Sequence, residues 1–355
     1  MYNNKIKNII FQLIIIIISF IYYSCNSCNN KTSKNKTIEK LTPKVKVEEV
    51  DTFKLPIYRY EELLFNLDPN NLNNIRKGLE KAKKDYLIFL DSDLNDPINI
   101  DQIKTFINDP VLKEAYKDIK NEYKDLSYFE KPLKQAILKY KKLMNINKTP
   151  KVYTYISGFL FEKPTIFLDS VLIIGLDTYL GKNYKMYSHL AIPSYFSKFM
   201  SKEYIVRDCM FAIGENIVQA PSKKNNRTLL DLMIYRGKIL YFTDLVLPDV
   251  PDSIKIKYTT QHIEWCRKNE ANVWAFFIEK KLLFSTDNNV ARKFLSEGPF
   301  TAVFSKSSPP RIGEYIGWQI IRHYINNNPN ISFKDLIAEK DSQKILNISG
   351  YKPKR

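Results

Sequence analysis

Residues 151–176 read KVYTYISGFLFEKPTIFLDSVLIIGL, and this stretch sets the chain apart from an all-helical protein. KVYTYI, TIFL and VLIIGL are short β-branched and aromatic runs, parted by Gly158 and by polar turn residues. Such side chains suit a pleated, half-buried surface, so the pattern predicts a small antiparallel sheet.

On either side the period becomes helical. Upstream, Asp68-Pro69, Asp96-Pro97 and Asp109-Pro110 each offer an N-cap followed by a proline whose missing N–H costs nothing in a first turn. The last helix before the sheet carries Phe129, Leu133, Ile137, Tyr140 and Met144 on one face, a stripe expected to be core. Earlier still, Val45, Val47 and Val50 alternate, and Ile57-Tyr58-Arg59-Tyr60 after Pro56 reads as a second short strand. Downstream, a helix over 201–219 turns Ile205, Cys209, Ala212, Ile213 and Asn216 inward, with Asp208 on the same stripe. A buried carboxylate needs a partner, so Asp208 either pairs with a basic side chain or marks a site. An apolar helix over 228–247 stops at Pro248, and another begins at Thr260 and holds Trp265, Cys266, Trp274 and Phe277. After Pro309-Pro310 comes RIGEYIGWQIIRHYI, with Gly313 and Gly317 one turn apart. Two glycines there weaken a helix by about 1 kcal/mol each, which close backbone packing has to offset. Ser332 and Asp335 read as a capping box and Gly350 as a helix stop. The fold class is α+β: a mainly helical single domain over 47–355, with a helical lobe at 47–148 and a sheet plus helices at 149–355.

The N-terminus gives an address. Lys5 and Lys7 precede an apolar run over 9–23, closed by Ser24-Cys25, which is the layout of a secretory signal. A cysteine at the junction makes residues 1–24 a lipoprotein signal peptide and Cys25 the lipidated, palmitate-type N-terminus, with Cys28 as the alternative acceptor. An uncleaved transmembrane anchor and a buried core helix are the competing readings. About 15 apolar residues is short against the ~20 of a membrane-spanning helix. Residues 25–46 read as a basic flexible tether, and 31–46 holds six lysines and one glutamate, suited to anionic headgroups.

A net charge of +17 would suit nucleic acid. The lysines, however, are spread through every segment and no aromatic-basic signature accompanies them, so nucleic acid is not expected as a partner. Cys209 and Cys266, the two cysteines of the body, sit inside apolar helical patterns and are read as buried free thiols. His189, His262 and His323 have no His or Cys at i+3 or i+4, and H-E-x-x-H, G-x-S-x-G and a phosphate loop are all missing. Of the three, His323 is the one to test, and the residues favour a binding or assembly protein without a cofactor over an enzyme.

From VYTYISGFLF and VLIIGLDTYLGKNYKMY, through RGKILYFTDLVLPDVPDSIKIKYT and IEWCRKNEANVWAFFIEKKLLFSTD, to PPRIGEYIGWQIIRHYI and the terminal YKPK, the chain resembles the gliding-motility lipoprotein GldB family over most of 45–355. The resemblance implies a cell-envelope lipoprotein of the gliding-motility and type IX secretion machinery, with the membrane and other envelope proteins of that machinery as partners. The family is similar, more remotely, to zinc-peptidase-like proteins, which implies a degenerate zincin-like architecture. The matching helix here reads RDCMFAIGENIV and supplies no histidine, whereas zinc hydrolysis needs two imidazoles one turn apart. The shape is then expected to survive as a peptide- or partner-binding cleft. Arg311, Glu314, Tyr315 and Trp318, on the glycine-bearing helix, are the expected partner surface. The rival reading is an envelope peptidase or peptidoglycan-acting hydrolase. Residues 26–30 hold no acidic side chain, which favours a periplasm-facing protein.

Overall fold

A four-stranded sheet set among helices organises the computed structural model, which describes residues 36–82, 84, 88–89, 93–222 and 227–354. The signal, Cys25 and Cys28 lie outside the described residues. Strands β1 (Ile57–Arg59), β2 (Lys151–Tyr155), β3 (Thr165–Leu168) and β4 (Val171–Gly175) stand in the order β1-β2-β4-β3. β2 pairs parallel with β1 and with β4, and only β3 and β4 form an antiparallel pair. The expected antiparallel sheet is therefore mixed. Parallel pairing needs a crossover between the strands. One crossover is the helical run between β1 and β2; the other is the loop and β3, which let β4 return between β2 and the outer strand.

Before the sheet lie α1 (Lys36–Leu41), α2 (Val47–Thr52), α3 (Tyr60–Phe65), α4 (Leu72–Lys81), α5 (Pro97–Asn108), α6 (Pro110–Glu122) and α7 (Ser127–Met144). After it come α8 (Lys185–His189), α9 (Ser194–Ser197), α10 (Ile205–Ile217), α11 (Leu229–Val246), α12 (Asp252–Ile256), α13 (Thr260–Glu279), α14 (Asn288–Leu295), α15 (Ile312–Asn327), α16 (Phe333–Ala338) and α17 (Ser342–Ser349). The chain is α+β and mainly helical, as the patterns predict.

The two faces of the sheet serve two cores. Val152, Leu172 and Ile174 join the main core with α6, α7, α10, α11 and α15. Tyr153 faces the other way, into a smaller cluster with Tyr60, Leu64, Ile75, Leu79, Ile100 and Ile103. The main core thus runs from helices before the sheet to Tyr351 after it.

At its centre α11 is buried on nearly every side and crosses α15 at close range. A Cβ on Gly317 would stand 2.0 Å from the Met233 carbonyl oxygen, and one on Gly237 2.3 Å from the Gly317 carbonyl oxygen. The helices meet backbone to backbone, which is the compensation the glycine spacing calls for.

Several local expectations hold. Asp96 and Asp109 cap α5 and α6 with proline in the first turn. Ser332 and Asp335 form a capping box, Gly350 stops α17 at φ 56°, and Cys209 and Cys266 are buried and unbonded. Phe129, Leu133, Ile137 and Tyr140 are buried along α7.

Three expectations fail. Val47 and Val50 fall in α2 and Val45 lies just before it, so the alternating valines form no strand; Val50 is buried and Val47 63% exposed, and Glu48 and Glu49 suit a helical first turn. Asp68-Pro69 starts no helix; Asn71 caps α4 instead, accepting from the Asn74 N–H at 3.0 Å. Part of the expected tether is ordered as α1, whose Ile38 and Leu41, three residues apart, pack on the main core.

Candidate functional site

α10 lies against β3 and forms the floor of a cleft of about 640 Å³. The loop between β2 and β3 supplies its rim, including Phe161 and Lys163. Asp177 holds that loop: its carboxylate accepts from the Ser157 and Phe159 N–H groups at 2.9 and 2.5 Å and from the Ser157 hydroxyl. Burial pushes the Asp177 carboxyl up, opposed by these donors.

The floor is ionic. α10 presents Arg207, Asp208, Phe211 and Glu215 to the cleft, all from one helix. Asp208 accepts from Arg207 Nη1 at 2.9 Å, Lys257 Nζ at 2.7 Å and the Tyr179 hydroxyl at 2.8 Å. Burial alone would raise its carboxyl, but the Lys257 and Arg207 cations outweigh this and hold it below the usual carboxylate range. The Arg207 guanidinium also stacks 4.1 Å from the Phe211 ring centre.

A second network adjoins the first. Arg236 bridges Glu215 at 2.6 Å and Glu314 at 3.3 Å, while Arg311 bridges Glu314 at 2.6 Å and Glu297 at 2.9 Å. Four cations thus meet four carboxylates around one cleft. Arg311 holds its place at φ 50°, a left-handed conformation that costs a non-glycine residue of order 1–3 kcal/mol. Its Nη2 donates to the Ile256 carbonyl at 3.0 Å, so the strained residue ties α15 to α12.

Asp208 is therefore both of the things the sequence left open, a paired carboxylate and part of a cleft. The expected partner surface is corrected. Arg311, Glu314, Tyr315 and Trp318 are all buried, with Trp318 fully so. Their helical spacing sets them on one face, but α15 is buried nearly all round: Gly313 and Gly317 pack another side of it against α14 and α11, and this face is covered as well. Trp318 Nε1 donates to Asp244 at 2.9 Å and the Tyr315 hydroxyl to Glu270 at 2.9 Å; only Arg311 and Glu314 reach the cleft.

The histidines do not gather there. His189 is exposed at the end of α8. His262 packs edge-on to Tyr258, and burial lowers its imidazole to about 4. His323 lies edge-on to Tyr351 and lines a different cavity, with Arg322 and Asp252. Among the described residues no group of three or more His, Cys, Asp or Glu side chains could hold a metal ion.

Sequence reasoning missed Asp177, Arg207, Arg236, Lys257 and Glu297. A charged residue within an apolar run, as Asp177 is in IIGLDTYL, was the one local signal on offer. The others come together only in the folded chain.

The chain matches no curated protein and no solved structure. A family model for gliding motility protein GldB matches residues 39–353, a span that includes the sheet, the cleft and both central helices. The chain belongs to the GldB gliding-motility family.

Proposed function

We propose that this chain is a non-catalytic, membrane-anchored lipoprotein of the gliding-motility and type IX secretion machinery, holding an envelope partner in the cleft between β3 and α10. Its family associates it with gliding motility and with the envelope. The observation that carries the non-catalytic reading is Asp208. Three donors engage this carboxylate and two cations keep it ionised, so it is a poor proton acceptor and is already committed as a ligand to its neighbours. The attachment is a lipid on Cys25, with Cys28 the alternative, placing the body in the periplasm, and the role calls for no cofactor. No helix among the described residues is long and apolar enough to cross a membrane.

Deleting the gene from a gliding organism is expected to stop movement, with the wild-type gene restoring it. Cys25→Ala should lose acyl labelling and fail to restore gliding. A deletion strain that glides and secretes normally refutes the role. Purified protein that hydrolyses peptide or peptidoglycan, with the activity lost in Asp208→Asn, refutes the non-catalytic reading in favour of an envelope hydrolase.

A further inference from the structure

We infer that the cleft binds its partner as an extended polypeptide strand added to the open edge of β3, a binding mode that rests on the partner-binding reading above. β3 is an outer strand of the sheet. The Gly175 N–H donates to the Pro164 carbonyl at 2.9 Å, so Pro164 points its backbone toward β4. Alternation then directs Ile166 and Leu168 the same way, in register with Ile173 and Val171. Thr165 and Phe167 consequently turn their N–H and C=O groups to the free edge: two donors and two acceptors at the two-residue spacing of another strand.

The two edges of the sheet are built differently. β1, at the opposite edge, follows Pro56 and ends in Arg59, which is bonded to Glu61 and Glu62. Both edges follow a proline, Pro56 and Pro164, so it is the charge at the end of β1 that sets them apart, since a charged edge resists pairing. TIFL has no charge, and its Ile166 and Leu168 are 36% and 62% exposed. An open apolar edge of this kind is a pairing site.

The cleft selects one strand over a second sheet. Glu162, Lys163, Thr165, Ile166 and Phe167 line it from the β3 side, and Tyr195, Phe196, Leu295 and Glu297 line it from other elements. About 640 Å³ between these walls suits a short peptide segment. Phe196 lies 4.8 Å from Phe161, centre to centre, and makes an aromatic wall for apolar side chains. The floor cations and carboxylates are bonded to one another, so recognition falls to backbone and apolar contacts. The occupant is therefore an extended segment with apolar residues at alternate positions, and it need not be charged.

The test uses full-length protein in detergent and a displayed library of random heptapeptides. The tightest peptide is resynthesised with both ends capped and then N-methylated one residue at a time. The expected result is a two-residue period: methylation at alternate positions weakens binding about tenfold or more, and methylation between them does not. Bound peptide should also protect the Thr165 and Phe167 amides from hydrogen exchange. Thr165→Pro, which removes an edge donor without touching the β4 ladder, should weaken binding about tenfold. The peptide scan leaves the protein unaltered, so it decides the matter even if this variant misfolds. An empty selection, a flat methylation scan, protection elsewhere, or an edge already filled by a second copy in a dimer that Thr165→Pro dissolves overturns the proposal. If the two-residue period is found but the deletion strain glides, the cellular role falls and the binding mode stands.

Discussion

Gly317→Ala places one methyl group where there is no room for it. The new Cβ would lie 2.0 Å from the Met233 carbonyl oxygen and 2.5 Å from its carbon. An ordinary carbon–oxygen contact is at least about 3.3 Å. α11 and α15 must therefore part by more than 1 Å along a crossing that lies at the centre of the main core, since the obstacle is backbone and cannot rotate away. Overpacking of this kind costs about 1–3 kcal/mol, occasionally more, and alanine's better helix propensity returns at most about 1 kcal/mol. A backbone clash belongs at the upper end, so a net loss of about 2–3 kcal/mol is expected. For a chain of this size that lowers the melting temperature by roughly 3–5 °C. The control is Gly298→Ala, whose Cβ meets nothing closer than the Phe300 oxygen at 3.9 Å, and which should change stability by less than about 0.5 kcal/mol. Gly237→Ala collides with the other side of the same contact, 2.3 Å from the Gly317 oxygen. One separation relieves both clashes, so the double variant should cost clearly less than the sum of the singles. Urea and thermal unfolding followed by circular dichroism measure all four. If Gly317→Ala melts with the wild type, the two helices do not meet backbone to backbone.

Asp208→Asn leaves Arg207 and Lys257 without their carboxylate and should cost about 3 kcal/mol in urea unfolding at pH 7, the usual penalty for breaking a buried pair. The folded Asp208 pKa lies below its unfolded value of about 3.9, so its contribution is complete above that pH and is lost as the pH falls through the folded value. The gap between wild type and variant should then close below about pH 4, and a constant gap there would count against the ion pairs. Lys238 behaves in the opposite sense. Burial lowers its amine to about 8, so between about pH 8 and 10.5 the unfolded chain holds the proton that the folded chain has released. Stability relative to Lys238→Met should rise with pH across that window, and a flat difference would show that the folded amine titrates normally.

What the sequence determined by itself was local. The caps at Asp96, Asp109 and Ser332, the buried stripe of α7, the stop at Gly350 and the burial of two thiols all depend on residues within one or two turns of each other, which a single sequence displays. The glycines of α15 also announced a close approach, though not that its other half is Gly237 on α11. The lipoprotein signal expected over residues 1–24 is likewise read from a contiguous pattern.

Tertiary structure alone decided the direction of strand pairing, because the side-chain alternation of TIFL or VLIIG is the same in parallel and antiparallel ladders. It decided that α15 is buried on this side as well as on its glycine side, since a stripe of Arg311, Glu314, Tyr315 and Trp318 has the same period on a surface as in a core. It also assembled the cleft. Asp208 meets Lys257, 49 residues away, and Arg236 meets Glu314, 78 residues away in sequence. A buried charge can be suspected from one position in an apolar run. Its partner is chosen by which helices pack against it, and that is settled by the shape of the core and not by any short stretch of chain.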